Sequence, residues 1–298
     1  MRFLNLRLQN FRNIEFAELP LGNARNFLLG ANGQGKSNLL EALGLAPALR
    51  SFRTQTLAAL PRKGVKEYKL AYELEHDSQG STALEIHSHP GGRSVLVDGE
   101  KVTRLVDFIG RFPSVTLCSS DLMLLRGSPS ERRRFMDLTL SVVNRDYYTA
   151  LRDFHRGIAE RNRLLKNSGS AAELSAFEAE IAIHSIQIAS YRAAGMKTLS
   201  EVLCRTYDRI AEADEGQQFS FRPNVDCHDT EAYCRLMYES RKRDQMIGAT
   251  QRGPHRDDFN FSLQVGSARE YASDGQQRGL CVALRIAQAS FYRQELGL

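Results

Sequence analysis

No apolar run in the 298 residues approaches the ~20 that a membrane-spanning helix needs. The opening residues, MRFLNLRLQNF, alternate and carry too many polar side chains for the apolar stretch of a secretory signal. Cysteine is sparse: Cys118, Cys204, Cys227, Cys234 and Cys281 are odd in number, irregularly spaced and without a C-x-x-C. That excludes a disulfide framework and points to a reduced, cytoplasmic protein with no membrane partner. Cys227, His228 and Cys234 lack a fourth ligand at a usual spacing, so a zinc site is not expected. Internal repeats and low-complexity tracts are absent too.

The chain is longer than a typical domain, so two domains, or one with a large insertion, are expected. Its 42% hydrophobic and 25% charged composition is that of a soluble globular protein. The formal net charge of +5 decides little, but its distribution does. Residues 125–166 hold 10 Lys/Arg against 5 Asp/Glu, and the remaining 30 basic and 30 acidic residues cancel. A surplus confined to one segment is expected where an anionic polymer touches it.

Gly30 to Ser37 reads GANGQGKS and fits G-x-x-x-x-G-K-[ST], the phosphate-binding P-loop. Asn26-Phe27-Leu28-Leu29 is expected to lead in as a buried strand, and Leu39, Leu40 and Leu43 follow at helical spacing. In Gly30-Ala31-Asn32-Gly33-Gln34-Gly35 the glycines let successive backbone N–H groups point at phosphates, and the helix starting near Lys36 adds its positive end. Lys36 reaches the β- and γ-phosphates as a point charge, and the Ser37 hydroxyl can ligate Mg²⁺. The chain is therefore expected to bind a nucleoside triphosphate.

Before the P-loop, Leu4, Leu6 and Leu8 alternate as a half-buried strand, Asn10–Asn13 turns, and a second strand runs near Ile14–Leu19. Pro47 ends the P-loop helix by Ala46. From Tyr68 to Val102 an antiparallel meander is expected, turning at Ser78–Ser81, Pro90–Gly92 and Asp98-Gly99. Val115–Cys118 reads as a buried core strand. Asp121 after it has two readings: a Mg²⁺-binding acidic residue, or, with Ser119 and Ser120, a cap for the turn at Leu122–Leu125.

Ser130 to Leu203 is almost entirely helical in pattern. On the wheel of Arg145–Lys166, Arg145, Arg152, Arg156 and Arg163 fall within about 40° of one another. Tyr147, Leu151, Phe154, Ile158 and Leu165 lie opposite. Asn167–Ser170 breaks that helix, and Leu174, Phe177, Ile181, His184, Ile188 and Tyr191 form a heptad seam on the next. An antiparallel arm of two helices of about 22–30 residues follows, with His184 packed in its seam. The arginine stripe either contacts nucleic-acid phosphates or is a solvated face paired to Asp146, Asp153 and Glu160. Ala213–Gln218 is polar and unpatterned, Thr230–Arg243 is a helix, and Arg252–Asp258 is a charged turn before a strand at Phe259–Gln264. Ser273-Asp274-Gly275-Gln276-Gln277 opens a final apolar helix.

A P-loop near the N-terminus, a helical insertion and S-x-G-Q-Q opening a late helix resemble the layout of an ABC-type ATPase head. In such heads the second motif faces a nucleotide held by a partner copy. That resemblance gives the trans role to Ser273, Gly275 and Gln276. Three further stretches narrow it: Asn10–Asn13, Asp121-Leu122 with GSPSERRRFMD (Gly127–Asp137), and Gly253-Pro254-His255-Arg256-Asp257-Asp258. Over essentially its whole length the chain closely resembles the RecF family of bacterial recombination mediators, related to the SMC-type ATPases.

The resemblance implies an α/β fold: a P-loop ABC-type head with a mixed sheet, an antiparallel meander and an inserted helical arm. Residues 1–118 would be the first part of the head, 119–246 the arm and 247–298 the second part. It implies ATP and Mg²⁺ as cofactors, an ATP-dependent homodimer at single-/double-stranded DNA junctions, and mediator proteins and the recombinase as partners. It further implies recombinational repair, replication restart and SOS induction, with weak DNA-dependent ATPase activity in intact relatives.

There are two departures. Asp274 stands where the family carries glutamine, a solvent-exposed change expected to be mild. The family's acidic strand and aspartate loop lie beyond the signature helix, and the sequence stops at Gly297-Leu298. The expectation is a C-terminally truncated copy or a fragment, marginal in stability, that binds ATP poorly to moderately and hydrolyses it little or not at all, with no catalytic residue assigned. The competing reading is a stand-alone P-loop kinase or NTPase unrelated to DNA. No guanine-reading N-K-x-D is present, and a kinase leaves the signature helix and the arm unexplained.

Overall fold

In the computed structural model, residues 1–298 are described except positions 23, 48, 55, 77–79, 168 and 212–213. The chain forms two compact units, Met1–Thr116 (with Leu298) and Leu117–Gly297.

In the first unit, β1 (Arg2–Phe11) and β2 (Ile14–Pro20) pair as a hairpin. Asn10 and Arg12 take left-handed backbone, at φ 55° and 58°, as the tight turn demands. The P-loop leads into α1 (Lys36–Leu45). The meander follows as β3 (Tyr68–His76), β4 (Gly80–His89), β5 (Gly92–Val97) and β6 (Glu100–Lys101). The sheet order is β2-β1-β3-β4-β5-β6, every pair antiparallel. Asp98 and Gly99, both at positive φ, make the expected tight turn between β5 and β6. The expected turn at Ser78–Ser81 falls partly outside the described residues. Alternation buries Leu6, Leu8, Tyr68, Leu70, Tyr72, Leu74, Leu84 and Ile86 on one face, in a core with Ala42 and Leu45 of α1.

Two expected strands do not form. Asn26–Leu29 and Val115–Cys118 carry no strand pairing. Phe27 is 80% exposed, Leu29 90% and Leu117 52%. A strand needs a neighbour for its N–H and C=O groups, and no described strand pairs with either segment. Apolar content alone does not supply one.

The second unit opens with α2 (Met123–Arg126), α3 (Pro129–Val143), α4 (Arg145–Lys166) and α5 (Ala171–Ala211). The Asn144 side chain caps α4 by accepting from the Tyr147 N–H. β7 (Gln218–Arg222), α6 (Thr230–Ile247), β8 (Asp258–Leu263), β9 (Gly266–Ser267), α7 (Ala268–Tyr271) and α8 (Asp274–Leu296) complete it. α5 runs for 41 residues, longer than expected, because beyond α4 and α6 it continues along β7 and α8. For the same reason the expected segments 119–246 and 247–298, all but Leu298, lie within one unit, whose lower edge is at Leu117. The seam of α5 is shifted from the heptad reading. Leu174, Glu178, Ile181, Ser185, Ile188 and Arg192 are buried, while His184 is only half-buried and faces Gln187 at 3.2 Å. Glu178 and Arg192 take inward positions because they meet charges of the opposite sign there, and Ser185 donates to the Ile181 carbonyl.

β7 lies partly in the stretch read as unpatterned. It pairs with β8 so that Phe219 opposes Phe261 and Phe221 opposes Phe259, the first two rings stacked 4.2 Å apart. Among the described residues no helix is long and apolar enough to cross a membrane.

Candidate nucleotide site and signature helix

Gly33 and Gly35 stand at φ 82° and 95°, conformations that a side chain would strain. At Gly35 a Cβ would also lie 3.1 Å from Asn13 Oδ1. The loop they permit leaves Gly30, Ala31, Asn32, Gly33, Gln34 and Ser37 exposed. Lys36 folds back over it, its Nζ donating to the carbonyls of Gly30 at 2.6 Å and Ala31 at 2.7 Å. α1 starts with no side-chain cap and no acidic residue in its first turn. Its positive end is therefore open to an anion.

Behind the loop lies a polar network that motif reading missed. Glu41 is fully buried and takes two bonds from Arg12 (2.9 and 2.6 Å), one from Ser51 (2.5 Å) and an ion pair from Arg53 (3.3 Å). Arg53 also donates to Asn38 Oδ1 (2.6 Å), Asn38 to Asn13 Oδ1 (2.6 Å), and Asn13 to the Gly33 carbonyl (3.3 Å). The Asn10–Asn13 stretch is thus a brace for the P-loop. Its signal was the motif itself, whose partners lie too far along the chain to read.

In the second unit, Ser273 caps α8. Its Oγ accepts from the Gln276 N–H at 3.2 Å, and Gln276 Oε1 accepts from the Ser273 N–H at 2.8 Å, a reciprocal capping box. Ser273 and Gly275 are exposed. Gln277 turns inward, donating to the carbonyls of Ala268 and Ala272 and accepting from Arg126 Nε at 2.5 Å. Asp274 is exposed, as expected, and it forms an ion pair with Arg126.

Asp121 caps, but not the turn expected: it closes the short 3-10 turn Ser119–Leu122, while α2 starts after Leu122 without a side-chain cap. Asp121 Oδ2 accepts from the Cys118 N–H at 3.0 Å, and Arg285 of α8 grips both carboxylate oxygens at 3.1 and 2.5 Å. A buried carboxylate so engaged has no face left for a cation.

Arg145, Arg152, Arg156 and Arg163 are all exposed on α4. Arg152 pairs with Asp153 (3.0 Å), Arg156 with Glu180 (3.0 Å) and Arg163 with Glu160 (2.8 Å). Arg145 makes no ion pair among the described residues. Exposed pairs of this kind contribute about 0–1 kcal/mol, so they yield readily to a phosphate. Not all of the local basic surplus is surface. Arg132 and Arg161 are buried, Arg161 against Glu178 (3.0 Å) and Asp244 (2.7 Å).

The two most distinctive stretches bind each other. Arg132 forks onto Asp258 at 2.8 and 3.0 Å, and Arg133 donates to the Asp257 carbonyl at 2.7 Å. Arg192 of α5 joins Asp137 (2.7 Å), Asp257 (2.6 Å) and the Pro254 carbonyl (2.8 Å). Burial opposes its charge, but Tyr147, Asp137 and Asp257 outweigh that and raise its pKa above the usual arginine range. Both motifs therefore serve the frame that carries α8.

No family model matches the chain. Among curated proteins, the DNA replication and repair protein RecF of Moorella thermoacetica is 32% identical over 295 residues, covering 98% of this chain and 78% of the relative. The chain belongs to the RecF family. RecF of Chlamydia trachomatis serovar L2 is 30% identical over 301 residues, covering 99% of this chain and 82% of that one. Among solved structures, the recombination mediator protein RecF with ATP, of the RecFOR pathway, superposes with a TM-score of 0.92 at 24% identity, covering 99% of this chain and 82% of that one. The Smc head domain of Pyrococcus furiosus gives 0.51 at 15% identity, covering 97% of this chain and 79% of that one. The fold is that of an ABC/SMC-type ATPase head, as the P-loop and signature implied.

Proposed function

We propose that the chain is an ATP-gated DNA-binding protein of recombinational repair, which dimerises on ATP at gapped DNA and helps load the recombinase with mediator partners. Replication restart and SOS induction belong to the same reading. One observation carries it: a RecF-family chain presents both a glycine-flipped P-loop with an uncapped helix start and an exposed, Ser273-capped helix start. The first would cradle phosphates through backbone N–H groups and Lys36. The second would offer the Ser273 hydroxyl and the Gly275 N–H to the γ-phosphate held by another copy, with the Gln276 N–H joining them once it exchanges Ser273 Oγ for the phosphate.

The residues present fit a phosphate chain. For Mg²⁺ they supply the exposed Ser37 hydroxyl, which makes no side-chain hydrogen bond among the described residues. Mg²⁺ commonly keeps several waters and takes phosphate oxygens, so one hydroxyl suits it. When bound, the ion would screen the β- and γ-phosphate charge, while Ser37 and Lys36 fix the phosphates in place. On the DNA side, Arg145, Arg152, Arg156 and Arg163 would contact phosphates without reading sequence.

Sedimentation with Mg-ATPγS tests the reading. The chain is expected to shift from monomer to dimer, while Lys36→Ala and Ser273→Arg stay monomeric. A monomer that ignores ATPγS would overturn it.

A further inference from the structure

The overall cancellation of charge outside 125–166 hides a second basic region. Between Ala42 and Lys66 the chain carries Arg50, Arg53, Arg62, Lys63 and Lys66 and no acidic residue. Arg50, Lys63 and Lys66 are exposed and make no ion pair among the described residues. Arg62 pairs with Glu15 at 3.0 Å, and Arg53 is 43% exposed over buried Glu41. Two parts of this stretch, at Arg53 and at Ala59–Arg62, are tied to the brace behind the P-loop. Arg12 bonds Glu41 with one edge and the Ala59 carbonyl with Nη1 at 2.7 Å. Its N–H reaches the Leu60 carbonyl, and the Arg62 N–H reaches Asn10, both at 2.8 Å. Two separated parts of the basic stretch are thus fastened to one arginine, and through Arg53, Asn38 and Asn13 to the Gly33 carbonyl of the nucleotide loop.

We propose that Arg50, Arg53, Lys63 and Lys66 form a phosphodiester-binding surface for nucleic acid, braced directly on the P-loop so that nucleotide and nucleic acid influence one another. The proposal rests on the DNA-binding reading above and names a surface for it other than α4. Three of the four α4 arginines must surrender an ion pair to meet a phosphate, whereas Arg50, Lys63 and Lys66 need not. A loop that was merely solvated would have no use for anchoring to the nucleotide loop.

The test compares the parent chain with Arg50→Glu/Lys63→Glu/Lys66→Glu and with the milder triple glutamine variant, on labelled gapped duplex over a salt series. Each phosphate contact contributes about 0.9 to the log–log salt slope, so losing three should lower the slope by about 2.7 and weaken binding by about tenfold or more. Linkage adds a second readout. Gapped duplex should tighten ATPγS binding by the factor by which ATPγS tightens duplex binding, and the triple variants should lose that effect while keeping their affinity for ATPγS alone. Triple variants with parental affinity and slope would overturn the proposal and leave the DNA-binding reading intact. A parent chain that binds no DNA would sink that reading, and the proposal with it. Anionic phosphatidylserine vesicles are the control: if the substitutions impair vesicle binding and leave DNA binding unchanged, the surface serves a membrane and the proposal fails.

Discussion

His255 stands beside the Phe154 ring, with centroids 5.7 Å apart, and its Nε2 lies 3.0 Å from the Thr250 carbonyl. Its Nδ1 is buried without a hydrogen-bond partner among the described residues. Burial drives its pKa from 6.5 down to about 4, and Arg256, His155 and Arg133 push the same way. The sign follows. Between those two values the unfolded chain binds a proton that the folded chain refuses, so stability falls as pH drops through that window. The neighbouring His155 shifts in the same direction by burial. The urea midpoint should fall between about pH 7 and about pH 4.5, and His255→Gln should flatten that fall. An unchanged pH dependence in the variant would contradict the assignment. Such residues are hard to read in sequence, because what perturbs His255 comes from α3, from α4 and from the chain around it. The glycine loop and the helix start at Lys36 were legible because that motif is local. Glu41 was not, since its partner Arg12 lies 29 residues away.

Among the elements, α5 ties the second unit together through charge as well as apolar packing. Arg192 joins α5 to α3 through Asp137 and to the chain before β8 through Asp257 and Pro254. Removing it leaves two carboxylates without their countercharge. Arg192→Leu should cost about 3–5 kcal/mol in urea unfolding, the scale for breaking a buried ion pair from one side. A loss below about 1 kcal/mol, the scale of an exposed pair, would show that the carboxylates find water or another partner. The order of helices was readable from apolar spacing, and α4 begins and ends as read. Periodicity did not reveal buried Arg161 and Arg192, because a charged residue facing inward looks like a break in the stripe. It also made strands of Asn26–Leu29 and Val115–Cys118, where composition said strand and no neighbour completed the ladder.

For the whole molecule, the family assignment rests on relatives that the chain spans to 78–82% of their length. Motif pairing made that assignment legible early: a P-loop, a signature and two distinctive stretches in order constrain a fold far more than any of them singly. The function proposed for the assembled protein makes the nucleotide a gate for DNA. The most direct measurement is binding of labelled gapped duplex by residues 1–298, with and without Mg-ATPγS, beside Lys36→Ala. ATPγS should tighten binding by the parent chain and leave Lys36→Ala unmoved. Equal binding with and without ATPγS by the parent chain would contradict nucleotide gating.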